Sequence, residues 1–179
     1  MSKLPSPVPM NKLLFFTLFV FLLASSGCER DDLCTPDQET SSRMVVVFKD
    51  FLNPDTVKPV ENLRVRVLGA SEYAPLDFEG STSLEMADTV YIPLRNFDDQ
   101  TIYDFETDNE EDGFNIDRLN FSYTRQDEFV SRACGFKVNY NDLQASRQQE
   151  IPNQPWIIET EVIDSTVNNR NEVHVEIFH

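Results

Sequence analysis

The sequence predicts an all-β fold, an antiparallel β-sandwich that is immunoglobulin-like or similar, with a small barrel as the alternative. About eight short runs alternate apolar with polar residues, turn-forming residues separate them, and no run shows helical spacing over three turns. Aromatic residues are enriched in strands, and the chain has 14 Phe and 5 Tyr. Because the gaps between runs are too short for crossover helices, parallel pairing is not expected.

The predicted strands begin with the continuous apolar run at residues 44–48, and residues 63–67 then alternate aliphatic side chains with two arginines. Residues 73–86 are expected to form an irregular loop. Pro93 places the next strand at a sheet edge, because proline cannot donate a ladder hydrogen bond. Residues 143–149 are expected to form a helical turn or a loop. Further strands are predicted at residues 103–105, 119–123, 129–140, 156–163 and 173–178.

The candidate core residues occupy the apolar positions of these runs. They are Val45, Val47, Leu63, Val65, Val67, Ile92, Phe121, Tyr123, Phe136, Val138, Trp156, Ile158, Val173, Val175 and Ile177. Successive side chains of a strand point to opposite faces of the sheet. His174 is therefore expected to face away from the core, whereas Cys134, at the same parity as Val138 and Tyr140, is expected to face it.

The N-terminal segment, residues 1–27, is predicted to be a secretory signal peptide. Lys12 precedes a twelve-residue apolar run at 13–24, and small residues follow that run. The run is shorter than the ~20 residues that a membrane-spanning helix needs. Three prolines lie upstream of Met10, so either Met1 or Met10 is the start of translation.

Cys28 follows the small residues directly and is predicted to be lipidated, as in a bacterial lipobox, although Ser25 stands where an aliphatic residue is usual. Several acyl chains on one residue give a stable anchor. The alternative is an ordinary secretory signal with an unmodified cysteine. In the lipidated interpretation, residues 28–42 form a tether and residues 43–179 form the β-sandwich domain. The protein is then held at the bacterial outer membrane, facing either the periplasm or the cell surface.

The charge balance excludes nucleic acid as a partner. The chain has 31 Asp and Glu against 15 Lys and Arg, a net charge of -16 at pH 7, and a phosphate backbone repels such a surface. Besides the membrane contacted through the lipid anchor, the predicted partner is an unknown envelope protein or glycan with polar or basic groups. The oligomeric state stays open.

The three cysteines are Cys28, Cys34 and Cys134. If Cys28 carries lipid, two cysteines remain, and an even remainder in an exported protein indicates a disulfide between Cys34 and Cys134. Two alternatives stay open, free thiols and a reactive Cys134 with a histidine as its base.

An acidic cluster resembles the first half of a calcium-binding loop and supplies a candidate site at Asp108, Glu110 and Asp112. The twelfth position of such a loop should be a bidentate glutamate, and here it is Leu119. An acidic hairpin turn is therefore the favoured interpretation. No metal or other cofactor is expected, because the metal-binding and phosphate-binding motifs HExxH, CxxC and the glycine-rich loop do not occur.

Two arginines are candidate ligand contacts, because guanidinium groups bind carboxylates and sugar acids. They are Arg125 and Arg132, and pairing of Arg125 with Asp127 or Glu128 is the favoured structural interpretation. No catalytic spacing is found. The sequence thus favours a non-enzymatic structural or interaction module. A carboxylate-based hydrolase or other carbohydrate-active protein and a small-ligand carrier are the alternatives.

Several motifs together resemble a family of uncharacterised bacterial lipoproteins, a domain of unknown function. The motifs are CERDDLC (28–34), TP (35–36), YIPL (91–94), FSYTRQD (121–127), VSRACGF (130–136) and NEVHVEIFH (171–179). The resemblance implies an all-β domain on a lipid anchor with Cys34 and Cys134 as family features. It implies no activity.

Overall fold

The computed structural model describes Cys34 and residues 41–109, 113–148 and 154–179. These residues form nine β-strands and no helix, which confirms the all-β prediction. In chain order the strands are β1 (Met44–Lys49), β2 (Val60–Val67), β3 (Leu84–Ala87), β4 (Thr89–Ile92), β5 (Gln100–Asn109), β6 (Gly113–Ser131), β7 (Gly135–Gln148), β8 (Glu159–Val162) and β9 (Val175–Phe178). Within the described ranges, no helix has the length and apolar character required to cross a membrane.

The strands form a four-stranded sheet in the order β4-β1-β9-β8 and a five-stranded sheet in the order β3-β2-β5-β6-β7. The two sheets make a sandwich and do not close into the alternative barrel. All neighbouring strands are antiparallel except β1 and β9, where Val46 pairs with Val175 in a parallel register. The prediction of purely antiparallel pairing is wrong at this one place. Short gaps prevent parallel pairing only between strands that follow one another in the chain. Strands β1 and β9 are the first and last, and almost the whole domain connects them.

The core lies between the sheets and contains residues of both, including Phe48, Leu63, Phe105, Phe121 and Ile177. Most of the predicted core is confirmed. The predicted residues that are buried are Val45, Val47, Leu63, Val65, Ile92, Phe121, Tyr123, Val138, Val175 and Ile177. Val67 and Trp156 are partly buried and pack against this core, and Val173 is half-buried. Phe136 and Ile158 were predicted to be in the core, which is wrong, because their side chains are 67% and 47% exposed.

Strands β6 and β7 are the longest, and they extend beyond the rest of their sheet. Strand β5 pairs with β6 only as far as Ser122, so the later part of β6 pairs with β7 alone. The prediction of one strand over 129–140 is wrong: β6 ends at Ser131, and a turn leads to Gly135. Gly135 has φ +73°, a conformation that a residue with a side chain rarely adopts.

Two other segments also differ from the prediction. The polar stretch 143–149 continues strand β7 through Gln148, because its residues pair with β6 as far as Arg118. Strand β3 begins at Leu84, inside the stretch 73–86 that was predicted to be irregular. Strand β3 has only four residues, and residues 144–148 are mostly polar, so neither segment shows an extended apolar alternation from which a strand could be predicted.

Strand β4 lies at the edge of its sheet, as Pro93 predicted. The outer side of β4 is covered, because the Tyr91 N–H donates a hydrogen bond to the Leu76 carbonyl at 2.7 Å. Strand β7 is also an edge, and the Leu143 N–H donates to the Ser165 carbonyl at 2.9 Å. Covered edges of this kind cannot pair with the strand of another chain at these positions.

His174 is fully buried, so the prediction that it faces away from the core is wrong. It precedes β9, and the strand alternation therefore does not set its direction. Its Nδ1 accepts a hydrogen bond from the Val45 N–H at 3.0 Å, and its Nε2 has no hydrogen-bond partner among the described residues. Burial lowers the pKa of His174 below its usual value of 6.5.

We expect this histidine to make the fold sensitive to mild acid. The unfolded chain takes up its proton near pH 6.5 while the folded chain resists it, so stability is lost as pH falls below that value. The loss can reach about 1.4 kcal/mol per pH unit for one proton. His174→Asn keeps an acceptor for the Val45 N–H and has no titrating ring. Urea unfolding should show a shallower stability loss for this variant between about pH 6.5 and pH 5.5.

His179→Asn is the companion variant, since burial lowers the pKa of His179 as well. Each single variant should remove a part of the slope, and the double variant should remove most of it. A His174→Asn protein with the wild-type slope would contradict the assignment.

Candidate functional site

The strongest candidate for a functional surface is the end of the sandwich that carries the disulfide. Cys34 and Cys134 form a disulfide with Cα atoms 4.9 Å apart, and 100 residues of sequence separate them. The predicted disulfide is confirmed. The predicted direction of Cys134 is wrong, because this residue lies in the turn between β6 and β7 rather than on a core-facing strand position. The bond therefore joins the N-terminal segment to the tip of a projecting hairpin.

We define the hairpin tip as residues 129–136. Phe129 and Phe136 pair across the two strands with ring centroids 5.4 Å apart, and their side chains are 58% and 67% exposed. Arg132 is exposed in the turn between them. The tip contains no acidic residue, and the next acid along the chain is Asp142. In a chain of net charge -16, the tip is an apolar and cationic exception.

A second feature of this end is the loop that connects β4 to β5, residues 93–99. The hydroxyls of Tyr103, Tyr123 and Tyr140 hold its backbone. They donate hydrogen bonds to the carbonyls of Pro93, Arg95 (3.0 Å) and Leu94 (3.2 Å), respectively. Burial raises the pKa of Tyr140 to about 12, so its hydroxyl keeps the proton that it donates.

Arg125 also binds the 93–99 loop through its guanidinium group. Its Nε donates to Asp99 Oδ1 at 2.7 Å, and a terminal nitrogen donates to the Asn96 carbonyl at 2.8 Å. The expected pairing of Arg125 with Asp127 or Glu128 is therefore replaced by pairing with Asp99, a residue distant in sequence. The result is a loop with a fixed backbone that leaves the side chain of Phe97 90% exposed.

We expect Tyr140→Phe to loosen this loop without unfolding the domain. The hydroxyl also contacts Asn96 Oδ1 at 2.5 Å. Because it has one proton, these two acceptors share a single donor, which the variant removes at a buried position. The expected loss of unfolding free energy is about 1–2 kcal/mol. Hydrogen exchange should become faster in residues 95–98. Tyr91→Phe is the control, since Tyr91 lies outside this network, and equal exchange rates in both variants would contradict the role of Tyr140.

A cleft of about 380 Å³ lies between the 93–99 loop and the hairpin tip. The disulfide, Ser41, Asn96 and Tyr140 form parts of its wall, and Arg43 is the one charged side chain of its described lining. A glycoside hydrolase needs two facing carboxyl groups in such a cleft. The described lining contains none.

The other candidate residues do not form a site among the described residues. Arg125 pairs with Tyr140 across the hairpin and Arg132 lies in its turn, about 20 Å further along the strands, so one small ligand cannot bridge them. Asp108 lies near the end of β5 and its carbonyl accepts a hydrogen bond from Asn62 at 2.7 Å. Glu110 and Asp112 lie outside the described residues, and so does Cys28. The described part of the chain holds no group of three His, Cys, Asp or Glu suited to a metal.

One charged cluster was missed by the sequence analysis. Glu106, only 2% exposed, lies on the outward face of the five-stranded sheet between Arg66 at 2.8 Å and Arg64 at 3.6 Å. The hydroxyl of Tyr73 donates to the other carboxylate oxygen at 2.8 Å, and this hydrogen bond raises the pKa of Tyr73. Beside them Arg118 contacts Asp104 at 2.7 Å.

The sequence carried a signal for this cluster. Arg64 and Arg66 stand two residues apart on one strand, and Asp104 and Glu106 stand two apart on another, so each pair shares one face. Opposite charges at matched spacing indicate neighbouring strands. Because each charged group of the cluster contacts an opposite charge on a neighbouring strand, we assign the cluster to packing of the fold.

The family comparison matches residues 76–179, which run from the segment before β3 through β9, to a family described as a family of unknown function (DUF6452). This span covers more than half of the chain and includes Cys134, the 93–99 loop and the hairpin tip. The motif with Cys28 and Cys34 precedes it. Comparison with curated proteins and with solved structures gave no match. The chain belongs to the family of unknown function DUF6452.

Proposed function

We propose that the chain is an envelope lipoprotein, acylated at Cys28 and held at the bacterial outer membrane, whose β-sandwich is a non-enzymatic interaction module. The observation that carries the proposal is the disulfide between Cys34 and Cys134. It uses two of the three cysteines and leaves Cys28 for modification. The apolar run at 13–24 and the small residues before Cys28 support the same assignment.

The 93–99 loop supports the interaction role. Three tyrosine hydroxyls and Arg125 fix its backbone while Phe97 stays exposed, so little conformational entropy is lost when a partner covers it. Buried aromatic residues dominate the binding energy of many interfaces. The partner we propose is an envelope protein that offers an apolar recess for Phe97, bordered by polar or basic groups that suit an acidic domain.

Lipidation is tested by mass spectrometry of the protein purified from cell membranes. We expect the N-terminal peptide to begin at Cys28 and to carry the mass of a diacylglycerol group and an acyl chain. Cys28→Ser should lose the mass and leave the membrane fraction. A mature protein that begins elsewhere, or has an unmodified Cys28, would overturn the anchor.

The interaction role is tested by placing a photo-crosslinking amino acid at position 97 in intact cells. The control position is Phe114, an exposed aromatic at the start of β6, far from the 93–99 loop. We expect a discrete protein adduct from position 97 and none from position 114. Adducts of equal yield at both positions, or an adduct with glycan alone, would contradict the proposed partner.

A further inference from the structure

We propose that the hairpin tip, residues 129–136, rests in the headgroup region of the bilayer that carries the lipid on Cys28. The inference rests on the proposed lipidation and adds to it a defined orientation of the domain. Three observations carry it: the position of the disulfide, the exposed aromatic pair, and the charge of the tip.

The disulfide limits the distance between the hairpin tip and the proposed lipid on Cys28. Cys34 lies six residues after Cys28, and six residues span at most about 20 Å when fully extended. Cys34 is bonded to Cys134 in the turn of the hairpin with Cα atoms 4.9 Å apart, so the turn lies within about 25 Å of Cys28. The attached acyl chains lie in the hydrocarbon layer. The disulfide end of the sandwich, which includes the tip, is therefore the end that the anchor holds near the membrane.

The side chains of the tip suit that position. Phe129 and Phe136 present a ring pair whose side chains are more than half exposed, and aromatic side chains are favoured at the boundary between headgroups and acyl chains. Arg132 can contact lipid phosphate. No acid occurs from residue 129 to residue 141, and Glu128, which directly precedes the tip, is paired with Lys137 at 3.4 Å. The tip therefore meets less repulsion from phosphate than the rest of this acidic chain.

In this orientation the 93–99 loop also stays available to the proposed protein partner. Arg125, which binds the loop, pairs with Tyr140 about six strand positions behind the turn, a distance of about 20 Å. The loop forms the wall of the cleft opposite the disulfide, and Phe97 is not among the residues that line that cleft. The two exposed aromatic features thus serve different surfaces, one the membrane and one the proposed protein partner.

The test uses the full lipidated chain, its acylation verified by mass, reconstituted in phosphatidylethanolamine and phosphatidylglycerol vesicles with brominated acyl chains. In a Trp156→Phe background, Phe129→Trp places a fluorescent probe in the tip, and Phe114→Trp places one about 50 Å away along β6. We expect the probe at 129 to lose about half of its fluorescence to the bromines and the probe at 114 to lose almost none. Phe136→Trp provides a second tip probe if Phe129→Trp folds poorly.

The outcomes separate this inference from the proposed function. A chain without the acyl mass overturns the lipoprotein proposal, and the orientation fails with it. An acylated chain whose tip probes are not quenched, or are quenched no more than the probe at 114, overturns the orientation alone. The Cys28→Ser chain should show no quenching at the same vesicle concentration, and strong quenching there would show that the tip binds membranes without the anchor.

Discussion

Replacing Cys34 and Cys134 together by alanine should lower the free energy of unfolding by about 3–5 kcal/mol, the largest effect we expect of any change at the disulfide end. The bond closes a loop of 100 residues, and a long loop restricts the unfolded chain strongly. A domain of this size has about 5–15 kcal/mol in total, so the variant should be only marginally folded.

The measurement is urea unfolding of the wild-type and double-alanine proteins with and without a reducing agent. Reduction should bring the wild type to the midpoint of the variant and leave the variant unchanged. Because the end of the β6–β7 hairpin is a two-stranded ribbon, which is marginal in isolation, its hydrogen exchange should accelerate more than that of β5. A wild-type midpoint that does not respond to reduction would contradict the prediction.

Replacing Arg64 and Arg66 together by methionine should cost about 2–4 kcal/mol. Glu106 is nearly inaccessible, and without the two guanidinium groups its charge keeps only the Tyr73 hydroxyl as a described side-chain partner. The figure lies below that of a fully buried pair because each arginine side chain is about one third exposed.

A triple variant separates the cost of an unpaired charge from the cost of lost packing. Adding Glu106→Leu to the two methionines should restore most of the stability, since an apolar replacement of a whole buried ion cluster is often neutral. Arg95→Met is the matched control, because its partner Asp98 is exposed, and it should cost under about 1 kcal/mol. A triple variant as unstable as the double would show that packing, rather than charge, accounts for the loss.

Alternation of apolar and polar residues correctly predicted which side chains are buried in strands that have one covered face and one solvent-exposed face. Leu63 and Val65 in β2 and Phe121 and Tyr123 in β6 are buried for this reason. The same pattern failed at Phe136, because alternation does not reveal where a strand runs past its neighbours. Strands β6 and β7 extend beyond the end of β5, and in that extension no second sheet covers the ring of Phe136.

The disulfide could be predicted by counting cysteines, and the loop that presents Phe97 could not be predicted from periodicity. The three tyrosines that hold the loop come from β5, β6 and β7, so their convergence depends on strand order. Side-chain pairs distant in sequence, such as Arg125 with Asp99, need a register that a single sequence does not supply. The predicted direction of His174 was wrong for a local reason: this residue precedes β9, so the alternation of that strand does not apply to it.

The parallel pairing of β1 with β9 has a consequence for how the polypeptide acquires its shape. The Val45 N–H bonds to the imidazole of His174, 129 residues away, and β9 separates β1 from β8 in the four-stranded sheet. A nascent chain emerging from its N-terminus must therefore wait for residues 175–178 before that sheet can assemble, and such non-local topologies fold slowly. Truncation before Val175 should leave β1 and β8 without the strand that lies between them.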